Sequence, residues 1–298
     1  MKNIAILLAT YNGGQYLKEQ LDSLFAQSNQ NFRLVIHDDG STDDTKHIIG
    51  EYRDKYPDRI ELLYGKPNGS PMINFMYMLS EVEADYYFLC DQDDVWEVNK
   101  LERAVGRLEQ MQPDQPNVYV HDFWMTDEQL HPLKKYGNCI EQYDFRMAIT
   151  ECLHMGFSTV FNAEFRRLML KGDIRRIPTH DWWQELIAME FGNLYVDDYV
   201  GAWHRRLDSS LSENNLKNRV RWFFHAWRGG SEIPALAAEF YRVFSKDMPH
   251  KDEQILALFV SEKYNLGKAI QKAFYSKRWR TSFASELVMR LLMLTGRI

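Results

Sequence analysis

The first half of the chain alternates short apolar runs with amphipathic segments, and this alternation limits the folds that it can adopt. The apolar runs, which are typical of buried strands, cover residues 4–9, 32–37, 59–64 and 85–90. The helical patterns between them cover about residues 15–27, 43–55 and 71–80. Strands that alternate with helices form right-handed βαβ units. The sequence therefore predicts an α/β fold with a mainly parallel sheet flanked by helices.

A further strand is expected at residues 117–124, and after it the pattern changes twice. It first becomes irregular, with strands expected at residues 156–162 and 193–198 and a helix that opens near Asp181. From about Glu213 onward the pattern is almost wholly helical. We therefore predict a catalytic α/β domain over residues 1–212 and a helical C-terminal region over residues 213–298.

Composition and segment length exclude several classes of protein. A chain of 298 residues with 45% hydrophobic residues can build a core, and no run reaches the roughly 17 to 25 apolar residues that a membrane span needs. The apolar run at the start is too short for a signal peptide. Cys90, Cys139 and Cys152 are scattered and lack CxxC spacing, which favours reduced thiols in a cytoplasmic compartment.

The net charge of −6 is unevenly distributed along the chain. Residues 263–298 contain eight basic residues and one acid, Glu286, so this segment carries +7 and leaves −13 on the residues before it. Its aromatic and leucine residues are interleaved with lysines and arginines, a composition that suits a helix lying in a membrane interface. Packing on the catalytic domain with a solvated basic face is the other interpretation. We expect no nucleic-acid partner.

Three carboxylates follow the apolar run that ends at Cys90. The stretch CDQDDVW places Asp91, Asp93 and Asp94 within four positions, and like charges this close repel unless a cation or hydrogen-bond donors compensate them. A bound divalent metal is the simplest compensation. An EF-hand loop is excluded, because Trp96 stands where its sixth-position glycine belongs.

Polar residues also follow the earlier strands, at the sheet edge where open α/β proteins bind ligands. ATYNGG offers Thr10, Tyr11 and Asn12 after the first strand, and the three are suited to a nucleobase. HDDGST follows the second strand, and one of its carboxylates is free to bind a base or ribose. The segment after the third strand supplies Asn68 and Asn74. Each motif alone is more often only a turn.

Taken together, ATYNGGQYL, VIHDDGSTDDT, FLCDQDDVW and HDWW resemble the family 2 glycosyltransferases of GT-A fold over roughly residues 3–210. The DQDDVW form is most similar to their bacterial rhamnosyltransferase-like branch. The resemblance implies inverting transfer of a sugar from a nucleoside diphosphate donor to an acceptor hydroxyl, assisted by Mg²⁺ or Mn²⁺. It favours dTDP-rhamnose as the donor, while UDP-hexoses and UDP-N-acetylhexosamines stay open.

The resemblance also implies roles for individual residues. Thr10, Tyr11 and Asp39 would contact the base and ribose, Asp91 would lie near the ribose or the metal, and Asp93 would be the direct metal ligand. The cation would stabilise the leaving diphosphate. In PTHDWWQELI, Asp181 would be the general base that takes the acceptor's proton; a helix cap is its alternative role.

The basic stretch Trp203-His204-Arg205-Arg206 departs from the aromatic-Arg-x-His order that is commoner in the family. We expect His204, Arg205 or Arg206 to contact the diphosphate or the metal, without deciding among them.

The acceptor is expected to be a glycan or lipid-linked sugar of bacterial cell-surface polysaccharide synthesis, met at the inner face of the membrane. Two other classes remain. A metal-dependent nucleotidyltransferase also uses a strand-end acid pair. Its first strand is followed by a glycine-rich loop that contains a basic residue, and this chain has TYNGG at that place instead. An inactive sugar-nucleotide-binding subunit would tolerate the loss of carboxylates that this chain retains.

Overall fold

The computed structural model of the chain describes residues 2–138, 140, 142–206, 227–228, 231–261 and 263–298. The chain forms two compact units. The first contains Met1–Ile140, His154–Leu170 and Phe191–Asp208, and the second contains Glu141–Leu153, Lys171–Glu190 and Ser209–Ile298. The predicted boundary at residue 212 lies outside the described residues, as does Cys139.

The observed division into two units differs from the predicted domain boundary in two segments of the chain. Residues 141–153 and 171–190, which the sequence analysis placed in the catalytic domain, group with the C-terminal residues instead. The reason is packing, because the ring of Trp183 is fully buried against Phe240 and Phe244.

One sheet, which in the described part of the chain has nine strands, organises the first unit. The strands are β1 (Ile4–Thr10), β2 (Arg33–Asp38), β3 (Ile60–Leu62), β4 (Tyr86–Cys90), β5 (Val95–Trp96), β6 (Asn117–Thr126), β7 (Pro132–Lys135), β8 (Thr159–Asn162) and β9 (Asn193–Arg205). Their order is β3-β2-β1-β4-β8-β6-β9-β5, and β7 pairs with β6.

The described helices divide between the units. They are α1 (Leu17–Phe25), α2 (Thr45–Lys55), α3 (Pro71–Glu81), α4 (Lys100–Leu108), α5 (Phe145–Ala148), α6 (Ala163–Met169), α7 (His180–Phe191), α8 (Ile233–Phe244), α9 (His250–Ala257), α10 (Leu266–Ala273) and α11 (Phe283–Leu294). Helices α1 to α4 and α6 belong to the first unit, whereas α5 and α7 to α11 belong to the second, apart from Phe191 at the end of α7.

The sheet has a parallel half and a mixed half. Strands β3, β2, β1 and β4 run parallel, as the alternation of strands and helices predicts. Beyond β4, strand β8 is antiparallel to both β4 and β6, while β6 and β9 are parallel. The two-residue β5 and the exposed β7 were not predicted, because segments this short or polar carry little periodic signal.

The parallel strands are buried on both faces. Five consecutive residues of β1, from Ile4 to Leu8, and all five of β4 are buried, which is why both read as continuous apolar runs rather than as alternating ones. Helix α1 packs one side of this core with Leu17, Leu21 and Leu24. The carboxyl ends of the strands, where the polar motifs begin, are thereby held in register.

Strand β9 approaches β6 closely at a glycine. Its pairing with β6 shifts register on either side of Asp122, and an added Cβ at Gly201 would lie 2.6 Å from Nδ1 of the fully buried His121. Such a contact is far inside van der Waals distance. The register of β9, which ends in His204 and Arg205, therefore depends on the missing side chain at Gly201.

We predict that Gly201→Ala lowers the free energy of unfolding by about 1–3 kcal/mol, the usual cost of overpacking a core. Gly106→Ala is the matched control, because Gly106 lies inside α4 and no described atom comes within 4 Å of its added Cβ. That substitution should instead stabilise the helix by roughly 0.5–1 kcal/mol. Urea unfolding curves measure both, and equal stability of the two variants would contradict the packing argument.

The second unit ends in a helical hairpin formed by α10 and α11. Trp279, in the turn between them, is fully buried, and its Nε1 donates to the carbonyl of Lys272 at 2.8 Å. The carboxylate of Glu286 accepts from the backbone N–H groups of Trp279 and Arg280. Among the described residues, no helix is long and apolar enough to cross a membrane.

Candidate active site

The carboxyl ends of β1, β2 and β4 bring the predicted motifs to one edge of the sheet. Thr10 pairs with Asp38 across β1 and β2, and Leu8 pairs with Cys90 across β1 and β4. The loops that carry Tyr11, Asp39 and Asp91 therefore start side by side. This edge is where open α/β sheets bind ligands.

The loop after β1 is tied to the loop after β2 by side chains. Thr10 is buried and its Oγ1 donates to Asp38 Oδ2 at 3.0 Å. Asn12 has a φ of 46°, a left-handed conformation that asparagine tolerates, and its Oδ1 accepts from Thr42 N at 2.8 Å. Tyr11 differs from both, because 57% of it is exposed. Thr10 and Asn12 hold the loop, and Tyr11 presents its ring to solvent.

The two aspartates after β2 bind different backbone segments. The carboxylate of Asp38 accepts from Ser41 N and from the hydroxyls of Thr10 and Ser41. Asp39, which is 8% exposed, accepts from Asn68 N and, at 2.8 Å, from Gly69 N. Asp39 therefore positions the loop after β3, and its predicted contact with a base or ribose stays a prediction.

The two predicted asparagines of the third loop lie in different environments. Asn68 contributes its backbone N–H to Asp39. Asn74 is buried on α3, with its Nδ2 3.4 Å from the carbonyl of His37 and its Oδ1 without a hydrogen-bond partner among the described residues. Their predicted donor contacts are not tested by this geometry.

Gln92 is a site residue that the sequence analysis missed. Its Oε1 accepts from Tyr11 N at 2.8 Å and its Nε2 donates to Tyr11 O at 2.9 Å. The amide thus bonds both backbone groups of Tyr11 and joins the β4 loop to the β1 loop. The signal in the sequence was the single neutral residue in the acidic stretch, because a primary amide can both donate and accept.

Strand β5 brings the acidic loop, residues 91–94, to the end of β9. Val95 pairs with Trp203 and Trp96 with Ala202, so the preceding Asp94 meets the following His204. Asp94 is fully buried, and its Oδ1 lies 2.8 Å from Nδ1 of His204. The sequence analysis named His204 as a ligand candidate but did not foresee this pair, since β5 is too short to predict.

The electrostatics of the acidic loop follow from burial and from the proximity of its charges. Burial and the neighbouring carboxylate of Asp94 raise the pKa of Asp93 to about 6. Burial acts to lower the pKa of His204, but the carboxylate of Asp94 outweighs it and the pKa of His204 rises to about 9. The ring of His204 also stacks on Phe157 at 4.6 Å. Asp94 and His204 therefore form a fixed ion pair beside Asp93.

A buried lysine lies behind the acidic loop. Lys100 is 1% exposed, its Nζ donates to the carbonyl of Phe157 at 2.8 Å, and it lies 3.4 Å from the centre of the Trp96 ring. Burial lowers its pKa to about 7, although Cys90 and the carboxylates of Asp94 and Asp91 oppose this shift.

The acidic loop fits a divalent cation by its chemistry. Asp94 Oδ2 is buried and has no hydrogen-bond partner among the described residues, and the pKa of Asp93 is raised, first by burial and then by the neighbouring carboxylate of Asp94. In the part of the chain that the structure describes, no three His, Cys, Asp or Glu side chains form a ready metal cluster. Mg²⁺ needs no such cluster, because one or two carboxylates together with substrate phosphates commonly hold it.

The two arginines after His204 have different surroundings. Arg205 is 2% exposed, and its guanidinium donates to Glu19, to the Asp93 carbonyl at 2.7 Å and to the Glu128 carbonyl at 3.1 Å. Arg206 is half-buried, and its backbone N–H donates to Thr126 O. Arg205 thus fixes the backbone of the acidic loop, and neither predicted diphosphate contact is tested.

Asp181 lies in the second unit, in the first turn of α7. Its Oδ1 is 3.1 Å from His180 Nε2, and its side chain is 31% exposed. The hydroxyl of Thr179 accepts from Trp182 N at 3.3 Å, so a helix-capping bond is made by Thr179. Of the two tryptophans that follow, Trp183 belongs to the core, whereas Trp182 is partly exposed and donates to Ala148 O.

The fold and this edge define a nucleotide-binding class of α/β proteins, and the comparisons with known proteins identify the family. Residues 5–168 match the model of glycosyl transferase family 2. An uncharacterized glycosyltransferase of Rickettsia prowazekii, RP339, is 30% identical over 302 residues, which cover 97% of this chain and 91% of the relative. The chain therefore belongs to glycosyl transferase family 2 and is a glycosyltransferase.

Two further proteins are similar over different lengths. The dTDP-rhamnosyl transferase RfbG of Shigella flexneri is 35% identical over 105 residues, which span 34% of this chain and only 36% of that protein. The crystal structure of residues 1–349 of TarS from S. aureus, in complex with UDP-GlcNAc, has a TM-score of 0.60 at 18% identity and covers 93% of this chain and 76% of that one. The predicted GT-A fold is confirmed.

Arg205→Lys should lower the free energy of unfolding by about 1–3 kcal/mol, the range for leaving buried hydrogen-bonding groups unsatisfied, because lysine cannot reach all the partners of the guanidinium. Arg206→Lys, at the neighbouring half-buried position, should change stability by less than about 0.5 kcal/mol. Thermal unfolding measures stability, and calorimetry of UDP or dTDP binding measures affinity in both folded variants. A large loss of nucleotide affinity in Arg205→Lys without loss of stability would contradict the positioning role.

Proposed function

We propose that the chain transfers a sugar, with inversion at its anomeric carbon, from a nucleoside diphosphate donor to an acceptor hydroxyl. The observation that carries the proposal is the sheet edge itself. There an exposed aromatic ring, Tyr11, and the carboxylate of Asp93, whose pKa is raised by burial and by Asp94, extend from loops that hydrogen bonds lock together. A donor would use both features, because its base stacks on an aromatic ring and its diphosphate needs a cation, which a carboxylate can hold.

The chain's own residues would orient the donor. Tyr11 would stack on the uracil or thymine, while Thr10, Asn12 and Asp39 keep the surrounding loops in place. Asn68, Asn74 and Asp91 are proposed to complete the contacts to base and ribose. Because these loops are already fixed by side-chain hydrogen bonds, little ordering would be required on binding, which favours affinity.

Mg²⁺ or Mn²⁺ is the proposed cofactor. Asp93 is the first candidate ligand, and Asp91 and His204 are the others. His204 bonds Asp94 through Nδ1, the arrangement in which metal-binding histidines are oriented, but Asp94 also favours the protonated ring. A cation bound there would neutralise the charge that develops on the departing diphosphate. Arg206 is proposed to add positive charge to the same leaving group.

Asp181 is the proposed general base. It would accept the proton of the acceptor hydroxyl as the new glycosidic bond forms and the bond to the diphosphate breaks. The neighbouring His180, 3.1 Å away, would fix the orientation of its carboxylate.

The proposed sugar is rhamnose, supported by the limited similarity to RfbG and by the DQDDVW stretch. UDP-hexoses and UDP-N-acetylhexosamines are the second choice, supported by the fold that the chain shares with TarS. The proposed acceptor is a lipid-linked glycan of bacterial cell-surface polysaccharide synthesis. Release of UDP or dTDP, and not of pyrophosphate, would separate this reaction from nucleotidyl transfer. Binding of the donor without release of either would indicate an inactive subunit.

Asp93→Asn should abolish most of the stabilisation that Mn²⁺ and a nucleoside diphosphate together give the protein. The substitution removes a ligand charge, and a ligand that binds only the native state raises its apparent stability. Thermal shift with UDP and with dTDP, each with and without Mn²⁺, measures the effect. Asp114→Asn, at an exposed position, is the control and should behave like the parent protein. Equal Mn²⁺-dependent shifts in both variants would argue against a metal at Asp93.

Asp181→Asn should lower the turnover number by about 10²–10⁴, the range for loss of a general base, while donor affinity stays within about twofold of the parent. Asp181→Glu retains a carboxylate and should recover part of the rate. Transfer assays with dTDP-rhamnose, UDP-glucose and UDP-N-acetylglucosamine give the rates, and calorimetry gives the affinities. If the turnover number and the donor affinity of Asp181→Asn fell by the same factor, Asp181 would not be the general base.

A further inference from the structure

The terminal hairpin of α10 and α11 keeps a row of apolar side chains exposed on each helix. On α10 and at the cap residue that follows it, the row is Leu266, Ile270 and Phe274, spaced every fourth residue, and Phe274 is 73% exposed. On α11 the row consists of Phe283, Leu287, Leu291 and Leu294, with exposures between 37% and 68%. Residues spaced in this way lie on one face of a helix.

These rows are not needed for the packing of the hairpin itself. The same helices bury a different set of side chains, namely Ala269, Ala273, Met289, Leu292 and Met293. Of the fourteen large hydrophobic side chains that are exposed in the described part of the chain, eight lie between Tyr264 and Leu294. Such a concentration of exposed apolar side chains is typical of a site that binds a protein or a membrane.

The charges around the rows are almost all positive. Lys263, Lys277, Arg278 and Arg297 are exposed before, between and after the two helices. Glu286, the sole acid among residues 263–298, is 3% exposed and pairs with Arg290 at 2.6 Å. The surface is therefore apolar with a basic border, whereas the residues before it carry a net −13.

We propose that this face of the α10–α11 hairpin docks on an anionic lipid bilayer, with the apolar rows in the interface and the basic residues against the headgroups. A symmetric contact with a second copy would place the two positive borders against each other, which disfavours it. The longer helix, α11, has 12 residues and is about 18 Å long, too short for a hydrocarbon core of about 30 Å. The hairpin would lie on the membrane and not cross it.

This proposal adds a location to the proposed function, and it rests on that function only for the lipid-linked acceptor. An enzyme held at the cytoplasmic leaflet would meet such an acceptor by diffusion in two dimensions. Vesicle binding itself requires neither donor nor turnover, so the location is testable separately from the reaction.

The test is sedimentation of the full chain with vesicles of equal parts phosphatidylcholine and phosphatidylglycerol, and with vesicles of pure phosphatidylcholine. We expect binding to the anionic vesicles at low salt and its release at high salt, because salt screens exposed charges. Phe274→Gln with Leu287→Gln should lower the partition coefficient by about tenfold or more. Lys263→Gln with Lys277→Gln should lower it by roughly 10- to 25-fold, since each cation contributes up to about fivefold.

Matched control variants come from the first unit. Leu133→Gln with Tyr64→Gln changes two exposed apolar side chains, and Lys18→Gln with Lys134→Gln changes two exposed cations. Both should bind vesicles like the parent protein. Nucleotide binding and sugar release in solution, without vesicles, should be unchanged in the hairpin variants, and failure of these two assays in the parent protein would count against the proposed function alone.

Three results would overturn the proposal. The parent protein could stay in the supernatant with anionic vesicles at low salt, or the hairpin and control variants could bind equally. The third is a dimer, detected by light scattering, that Phe274→Gln with Leu287→Gln converts to a monomer, since the face would then be an interface between copies.

Discussion

The ion pair between the buried Asp94 and the partly buried His204 is the interaction on which the candidate site depends. It joins the loop after β4 to the end of β9, two segments 110 residues apart in the chain. Asp93 precedes Asp94 directly, and its carbonyl is held by Arg205. The position of the proposed metal ligand is thus set by its neighbours on both sides, before any cation binds.

A second set of contacts fixes the nucleotide side of the same edge. Gln92 bonds both backbone groups of Tyr11, Asn12 bonds the β2 loop, and Asp39 bonds the β3 loop. Each loop is therefore tied to another strand's loop, and rigidity does not depend on any one of them. Asp39 and Arg205 are buried and hydrogen-bonded, so they hold the loops of the site in place. Tyr11 is exposed to solvent and is free to contact a ligand.

Charge has opposite signs at the two functional surfaces that we propose. The acidic loop concentrates carboxylates, and burial together with the carboxylate of Asp94 raises the pKa of Asp93, which suits a cation bound together with a diphosphate. The α10–α11 hairpin has almost no exposed negative charge among its described residues, which suits an anionic membrane. In our proposals a ligand supplies the opposite charge at each surface: a cation at the acidic loop and anionic headgroups at the hairpin.

The sequence by itself determined the α/β class, the parallel half of the sheet and the gathering of Thr10, Asp39 and Asp91 at its carboxyl edge. These features follow from local periodicity and from the fixed direction of βαβ units. Only the tertiary structure decided that Asp94 pairs with His204, that Arg205 is buried behind Asp93, and that residues 171–190 pack with the C-terminal helices. Such contacts join distant residues through a two-residue strand or a packed ring, and no local pattern in the sequence encodes them.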